Sequence, residues 1–281
     1  MQSGLFKTNV ELFKKTFKSF FEDDMDMYAA ALAFQMLFAI VPFLIVFISI
    51  LGFLDLEELY RVLYEHAGII VPERATEVVV QFVGELEEPT GILLPVALIF
   101  ALWIASSAMR STTHILNIVY DVNESRPFWS QFLLSIAYTL AITVMLILAL
   151  LFMILGPQVL EWLTGLVALD EAYITIWAWL RWPVAVILLM LTISIVYYAA
   201  PNVKQDFRNI IPGSVLSVLV WIGLSVGFEF YMRTFVDLSI LFGGLGAIIF
   251  LMIYFYICSA ILIFGAVLNA VLDSKSREER R

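Results

Sequence analysis

Ionisable chemistry is scarce in this chain. Of 281 residues only 15% are charged, two are histidine and one is cysteine. The lone cysteine, Cys258, lies inside an apolar run, which excludes a disulfide framework and a thiolate metal cluster. The low charge excludes a soluble domain, because a water-exposed surface demands far more polar residues than a 62% hydrophobic chain supplies. What remains is an integral membrane protein. There is no defensible internal repeat and no low-complexity segment.

What is present is long apolar runs. A spanning helix needs roughly 20 mostly apolar residues, and six segments qualify: about 29–53, 92–120, 131–155, 176–199, 210–232 and 241–270. They are continuous, not alternating over ten residues, so helices are expected and a β-barrel is not. The expected fold is an all-α integral membrane protein of six transmembrane helices, one membrane domain over 1–281. Its parts are an amphipathic segment over 1–22, a bundle over 29–270 with a long loop at 55–91, and a charged tail at 271–281.

Orientation follows from the lysines and arginines. With the N-terminus in the cytoplasm, twelve of the sixteen lie on the inner side, and only Arg61, Arg74, Arg181 and Arg233 lie outside. Both termini are then cytoplasmic, in the inner membrane of a prokaryote. Loop 55–91 is external, with nine acidic residues against two arginines. The N-terminus has no apolar core suited to a signal peptide. Instead Phe6, Val10, Phe13, Phe17 and Phe20 recur at helical spacing beside Lys7, Lys14, Lys15 and Lys18. An apolar stripe with a basic flank fits a helix lying on anionic inner-leaflet lipids; the alternative is a helix packed against the bundle. Trp162, Trp177, Trp179 and Trp182 around the outer end of the fourth span fit an interfacial aromatic belt.

Four stretches carry a family resemblance: DDMDMYAAALAFQMLFAIVPFLIVFISILG (23–52), LWIASSAMRSTTHILNIVYDVNESRPFWSQ (102–131), PNVKQDFRNIIPGSVLSVLVW (201–221) and FGGLGAIIFLMIYFYICSAILIFGAVLNAVL (242–272). In order and spacing they resemble the YihY/BrkB family of six-helix inner-membrane proteins of bacteria and archaea, over nearly the whole chain. The family's closing motif reads like GAELNA, whereas Val267 stands here in place of the acid. Members were long labelled ribonuclease BN, a label regarded as mistaken, and others were named for serum resistance. The resemblance leaves open lipid translocation, solute translocation and other membrane roles.

Nuclease chemistry is excluded on the residues themselves. Metal-assisted hydrolysis needs clustered His, Asp or Glu facing water. His66 and His114 fall on opposite sides of the membrane, and no HxH, HxxE or paired-carboxylate motif occurs in the short cytoplasmic loops. No metal, no cofactor and no nucleic-acid partner is expected, and no ATP-binding motif is present. The GGLG at 243–246 is in or beside a span, not in a phosphate loop.

The polar residues that remain converge on the second span. Ser107, Arg110, His114, Asn117 and Asp121 follow i, i+3, i+7, i+10, i+14 and so share one helix face. From residue 92, Arg110 lies about 27 Å along the helix, near the inner boundary, where its side chain reaches phosphates or water. An interfacial anchor is one reading of Arg110. A wet groove is the other, because an anchor needs no stripe above and below it. Gln35 in the first span and Asn269 at the inner end of the last complete a candidate cytoplasm-facing cavity. In their plainer roles Gln35 is an interhelical hydrogen bond and Asn269 a boundary residue or cap.

Glu229, Arg233 and Asp237 near the outer end of the fifth span are a local ion pair or an outer gate. Pro42 either kinks the first span or breaks it to free carbonyls. Gly223 and Gly227 form a GxxxG suited to close helix packing, within the chain or in a homo-oligomer. No charge falls near the middle of any span, which argues against a proton-relay pump. The leading functional expectation is translocation of an amphipathic anion, a lipid or envelope precursor. The competitors are a non-transporting scaffold and a small-solute exporter.

Overall fold

The computed structural model describes residues 2–53, 93–167, 171–235 and 238–278. The expected external loop 55–91, Asp237 and the last residues of the tail lie outside them, as do the side chains of Lys7 and Arg233. The described residues form seven α-helices and no strand. These are α1 Gln2–Glu22, α2 Met25–Phe53, α3 Leu93–Val119, α4 Phe128–Val167, α5 Glu171–Ala199, α6 Phe207–Phe235 and α7 Leu238–Glu278. Helices α2 to α7 fall on the six apolar runs in order. By length and composition, four segments of them suffice to cross a membrane: Phe128–Ala149, Trp179–Ala199, Phe207–Tyr231 and Ile248–Ser276. Met25–Ile40 in α2 is apolar but shorter.

Helices α4 and α7 have 40 and 41 residues. At about 1.5 Å per residue each is roughly 60 Å long, about twice the hydrocarbon thickness, so each must tilt or run on into the interface. Pro42 leaves α2 helical on both sides, so the helix is not broken there. The chain turns where short polar residues accept a left-handed backbone: Asp24 between α1 and α2, and Asp121 after α3, have φ of 53° and 50°.

The residues group into two compact units. One comprises Met1–Ala39, Ser106–Tyr138 and Met190–Arg281. Its core gathers Phe20, Met25, Ala29, Leu32, Ile115, Ile263, Val267 and Val271 from α1, α2, α3 and α7. Val267, at the position where the resembled motif carries an acid, is 3% exposed in that core. A carboxylate there would need a buried partner; valine needs only packing. The other unit comprises Ile40–Ala105 and Thr139–Leu189, with Val46, Ala101, Ala105 and Ile147 buried. In it Trp179 and Trp182 are exposed on α5, and the Arg181 guanidinium lies 5.8 Å from the Trp182 ring centroid.

Within the first unit α6 and α7 pack most closely, and small residues make that possible. In hydrocarbon the apolar transfer term between helices is absent, so close van der Waals packing and interhelical hydrogen bonds hold them. The Gly213 N–H donates to Asn269 Oδ1 at 2.8 Å. Tyr197 Oη from α5 donates to the Leu262 carbonyl at 2.6 Å and lies 2.8 Å from Ser217 Oγ. Outward-facing Leu219, Val226 and Phe230 of α6 and Ile248, Ile249 and Ile253 of α7 are exposed, as helices facing lipid require.

The GxxxG is not part of this packing. Gly223 and Gly227 are exposed, and a Cβ added at either meets nothing within 4 Å. Gly223→Ala is therefore expected to stabilise the chain by about 0.5–1 kcal/mol through helix propensity, with no change in oligomeric state. A lower unfolding midpoint, or loss of an oligomer in detergent, would show instead that the motif serves a contact between subunits.

Candidate functional site

The end of α3 carries the polar stripe, and the first unit resolves it into separate fates. Arg110 is on α3, and its side chain reaches α4. Its Nη1 donates to Ser106 Oγ, one turn earlier, at 2.7 Å, and its guanidinium carbon lies 5.5 Å from the Phe132 ring centroid. Cation–π contact of this kind is worth about 0.5–1 kcal/mol at a partly exposed site. Phe132 stacks on Phe128 with centroids 6.4 Å apart and meets Trp129 edge-on at 6.4 Å. Phe128, Trp129 and Leu133 are all exposed. A half-buried guanidinium thus borders an exposed aromatic patch. Among the described residues Arg110 has no carboxylate partner.

Ser107 is brought to Gln35 of α2, with its Oγ 3.4 Å from Oε1, long for a hydroxyl hydrogen bond. His114 is exposed, four residues beyond Arg110. Asn117, by contrast, is buried and joins two connections. Its Nδ2 donates to Glu124 Oε2 at 2.8 Å, and its Oδ1 accepts from the Asn202 N–H at 2.7 Å. Around this node Arg126 Nε pairs with Glu124 Oε1 at 3.3 Å, and Arg126 Nη2 donates to the Ala200 carbonyl at the end of α5, at 2.9 Å. A cation at a helix C-terminus also meets the favourable end of its dipole. Asn202 Nδ2 reaches Ser125 Oγ at 2.7 Å. The α3–α4 and α5–α6 connections are clasped together, and of the stripe Asn117 is used in doing so.

Asn269 is not a cap. It lies within α7, fully buried, with Oδ1 on Gly213 and Nδ2 without a partner among the described residues. Asp121 is exposed and terminates α3: the Val122 N–H bonds back to the Asn117 carbonyl at 2.9 Å, and Asp121 itself takes the left-handed conformation usually given to glycine. Asp121→Gly is accordingly expected to stabilise the fold by up to about 1 kcal/mol, read as a raised midpoint of thermal unfolding in detergent. A lowered midpoint would assign the carboxylate a stabilising contact of its own. Of the outer-gate candidates, Glu229 is exposed on α6, while the Arg233 side chain and Asp237 lie outside the described residues.

Sequence periodicity missed Ser106, Phe132, Glu124, Arg126 and Asn202. The clue to the clasp was in the string NESRPFW at 123–129, where an acid and a base stand two apart before a helix-starting proline. Among the described residues no group of three or more His, Cys, Asp or Glu is placed to hold a metal ion.

Comparison with known proteins shows the family. The family model described as virulence factor BrkB matches residues 16–281. The ribonuclease-like protein YfkH of Bacillus subtilis is 33% identical over 252 residues, covering 89% of this chain and 90% of that protein. A UPF0761 membrane protein of Alteromonas mediterranea is 28% identical over 254 residues, 87% of this chain and 82% of its own length. Another UPF0761 membrane protein, from Chromohalobacter salexigens, is 27% identical over 271 residues, and the chain spans 61% of it. No solved structure matches the chain.

Proposed function

Since the chain belongs to the virulence factor BrkB family, whose relatives include UPF0761 membrane proteins, we propose that it is a translocator that takes the anionic head group of an amphipathic molecule at Arg110. The substrate is a lipid or a lipid-like envelope precursor. One observation carries this reading. The Arg110 guanidinium has five donors, spends one on Ser106 and lays its face on Phe132, and among the described residues meets no carboxylate. Charge within a membrane helix is costly. A phosphate or carboxylate would relieve that cost with charge-assisted, bidentate hydrogen bonds. The exposed Phe128, Trp129 and Leu133 beside it suit the apolar part of the same molecule.

The basic-residue distribution supports both termini lying in the cytoplasm, at the inner membrane, which puts Arg110 at the inner leaflet. The head group would then cross a midplane without charge by transient opening of the bundle beside lipid. No covalent step belongs to this reading.

A second reading, a non-transporting scaffold, draws support from the clasp that takes Asn117 out of the stripe by packing. The two separate in proteoliposomes holding fluorescent phosphatidylglycerol or phosphatidylcholine, with a membrane-impermeant quencher added outside. Translocation predicts faster loss of inner-leaflet phosphatidylglycerol fluorescence with the protein than without it, and loss of that gain in Arg110→Ala. Equal rates with and without protein would reject passive lipid translocation and favour the scaffold.

A further inference from the structure

Helix α1 has two apolar sides, and they do different things. Thr16 is 0% and Phe20 5% exposed. The Phe20 ring meets Phe264 of α7 with centroids 5.7 Å apart, and the Thr16 hydroxyl is spent on the Leu12 carbonyl at 2.9 Å. The Phe13 ring also meets Phe264, with centroids 5.7 Å apart, yet it remains 52% exposed. Phe17 and Phe21 are 53% and 52% exposed, their rings 4.8 Å apart. The stripe read from spacing therefore splits: Phe20 turns into the core, and Phe21 joins Phe13 and Phe17 on the outside.

At about 100° per residue, Phe13, Phe17 and Phe21 cover an arc of about 80°, and Lys14 and Lys18 follow on the next stretch of the circumference. Lys14 and Lys15 are exposed, as is Lys18, whose 3.5 Å pairing with Glu22 is a solvated surface contact.

We propose that α1 seats its Phe13–Phe17–Phe21 face in the head-group layer of a phospholipid leaflet, with Lys14 and Lys18 at the phosphates and Lys15 on the water side, while Phe20 fixes it to α7. Charge complementarity selects this occupant. Residues 2–22 carry four lysines against two glutamates, and lysine stems extend from an apolar surface toward phosphate oxygens. Three half-exposed rings beside that basic rim match the depth profile of an interface, apolar below and anionic above. The inference is independent of Arg110, and either can fail alone.

The test uses the full chain with Cys258→Ala and one spin-labelled cysteine, Phe17→Cys or Lys15→Cys, in phosphatidylethanolamine–phosphatidylglycerol vesicles. Power saturation against oxygen and against a water-soluble nickel complex reads depth. A label at 17 should collide several-fold more with oxygen than with nickel, and a label at 15 should show the reverse. Substituting Lys14 and Lys18 by glutamine should raise nickel access at 17. Nickel access at 17 equal to that at 15 would place the face in water and overturn the proposal. Shielding of 17 from both probes would mean a protein covers it and would overturn it equally, and an unchanged depth in the glutamine variant would remove the phosphate contact.

Discussion

Arg110→Ala is expected to weaken binding of short-chain phosphatidylglycerol by roughly 10- to 100-fold, with the folded protein no less stable than before. The size follows from the chemistry. A hydrogen bond to a charged group contributes about 1.5–3 kcal/mol, and each 1.4 kcal/mol is about tenfold in affinity. Stability should hold because alanine removes a charge that the bilayer disfavours. It forfeits only the Ser106 bond and the Phe132 contact.

Arg110→Lys should fall between. It keeps the charge but replaces a planar, five-donor fork with a point charge that cannot bind two oxygens in parallel or stack on Phe132 in the same way. Titration calorimetry in detergent checks both variants, with phosphatidylcholine as the comparison lipid. Equal affinity in wild type and Arg110→Ala would return Arg110 to the role of an interfacial anchor.

Gly265→Val is expected to cost at least about 3 kcal/mol and to remove most folded protein from the membrane. A Cβ at Gly265 would meet Ser217 Oγ, Tyr197 Oη at 2.7 Å and the Gly213 carbonyl at 2.8 Å. Two of those three atoms already serve the Tyr197–Ser217–Leu262 bonding that ties α5, α6 and α7 together. A Cβ at Gly213 would run into the Gly265 carbonyl and Asn269 Oδ1, so Gly213→Ala should be nearly as damaging. Neither site has a flexible side-chain tip as its only obstacle. Backbone would have to move, and lipid-embedded helices have no transfer free energy to offset the lost contacts. Yield of monodisperse protein after size exclusion, beside Gly223→Ala as the permissive control, reads the difference. A normal yield for Gly265→Val would mean the α6–α7 crossing is looser than these contacts require.

Helix positions were legible in the sequence because apolar runs report the bilayer directly. The run at 29–53 became α2, Met25–Phe53, and the run at 92–120 became α3, Leu93–Val119. The ends of α4 and α7 were not legible, since a helix that continues past the hydrocarbon no longer needs an apolar sequence. Periodicity found the polar face of α3, but not how it divides. Asn117 was drawn into a clasp by partners 7 and 85 residues away, and no spacing rule reports such a pairing. Arg110 was left beside Phe132, whose role depends on how α4 leaves Pro127. The glycines give the same lesson. Gly223 and Gly227 stood out as a motif and face outward, whereas Gly213 and Gly265 lie far apart in sequence and approach each other too closely to admit a Cβ.

The most direct test of Arg110 as a head-group site is the dipolar coupling between guanidinium nitrogen and lipid phosphorus. Protein with 15N-arginine in phosphatidylglycerol bilayers would be compared with Arg110→Lys by solid-state NMR. A bound phosphate predicts strong 31P dephasing of the Arg110 signal, the component that disappears in Arg110→Lys. An Arg110 signal that 31P leaves undephased would contradict a phosphate head group at this arginine.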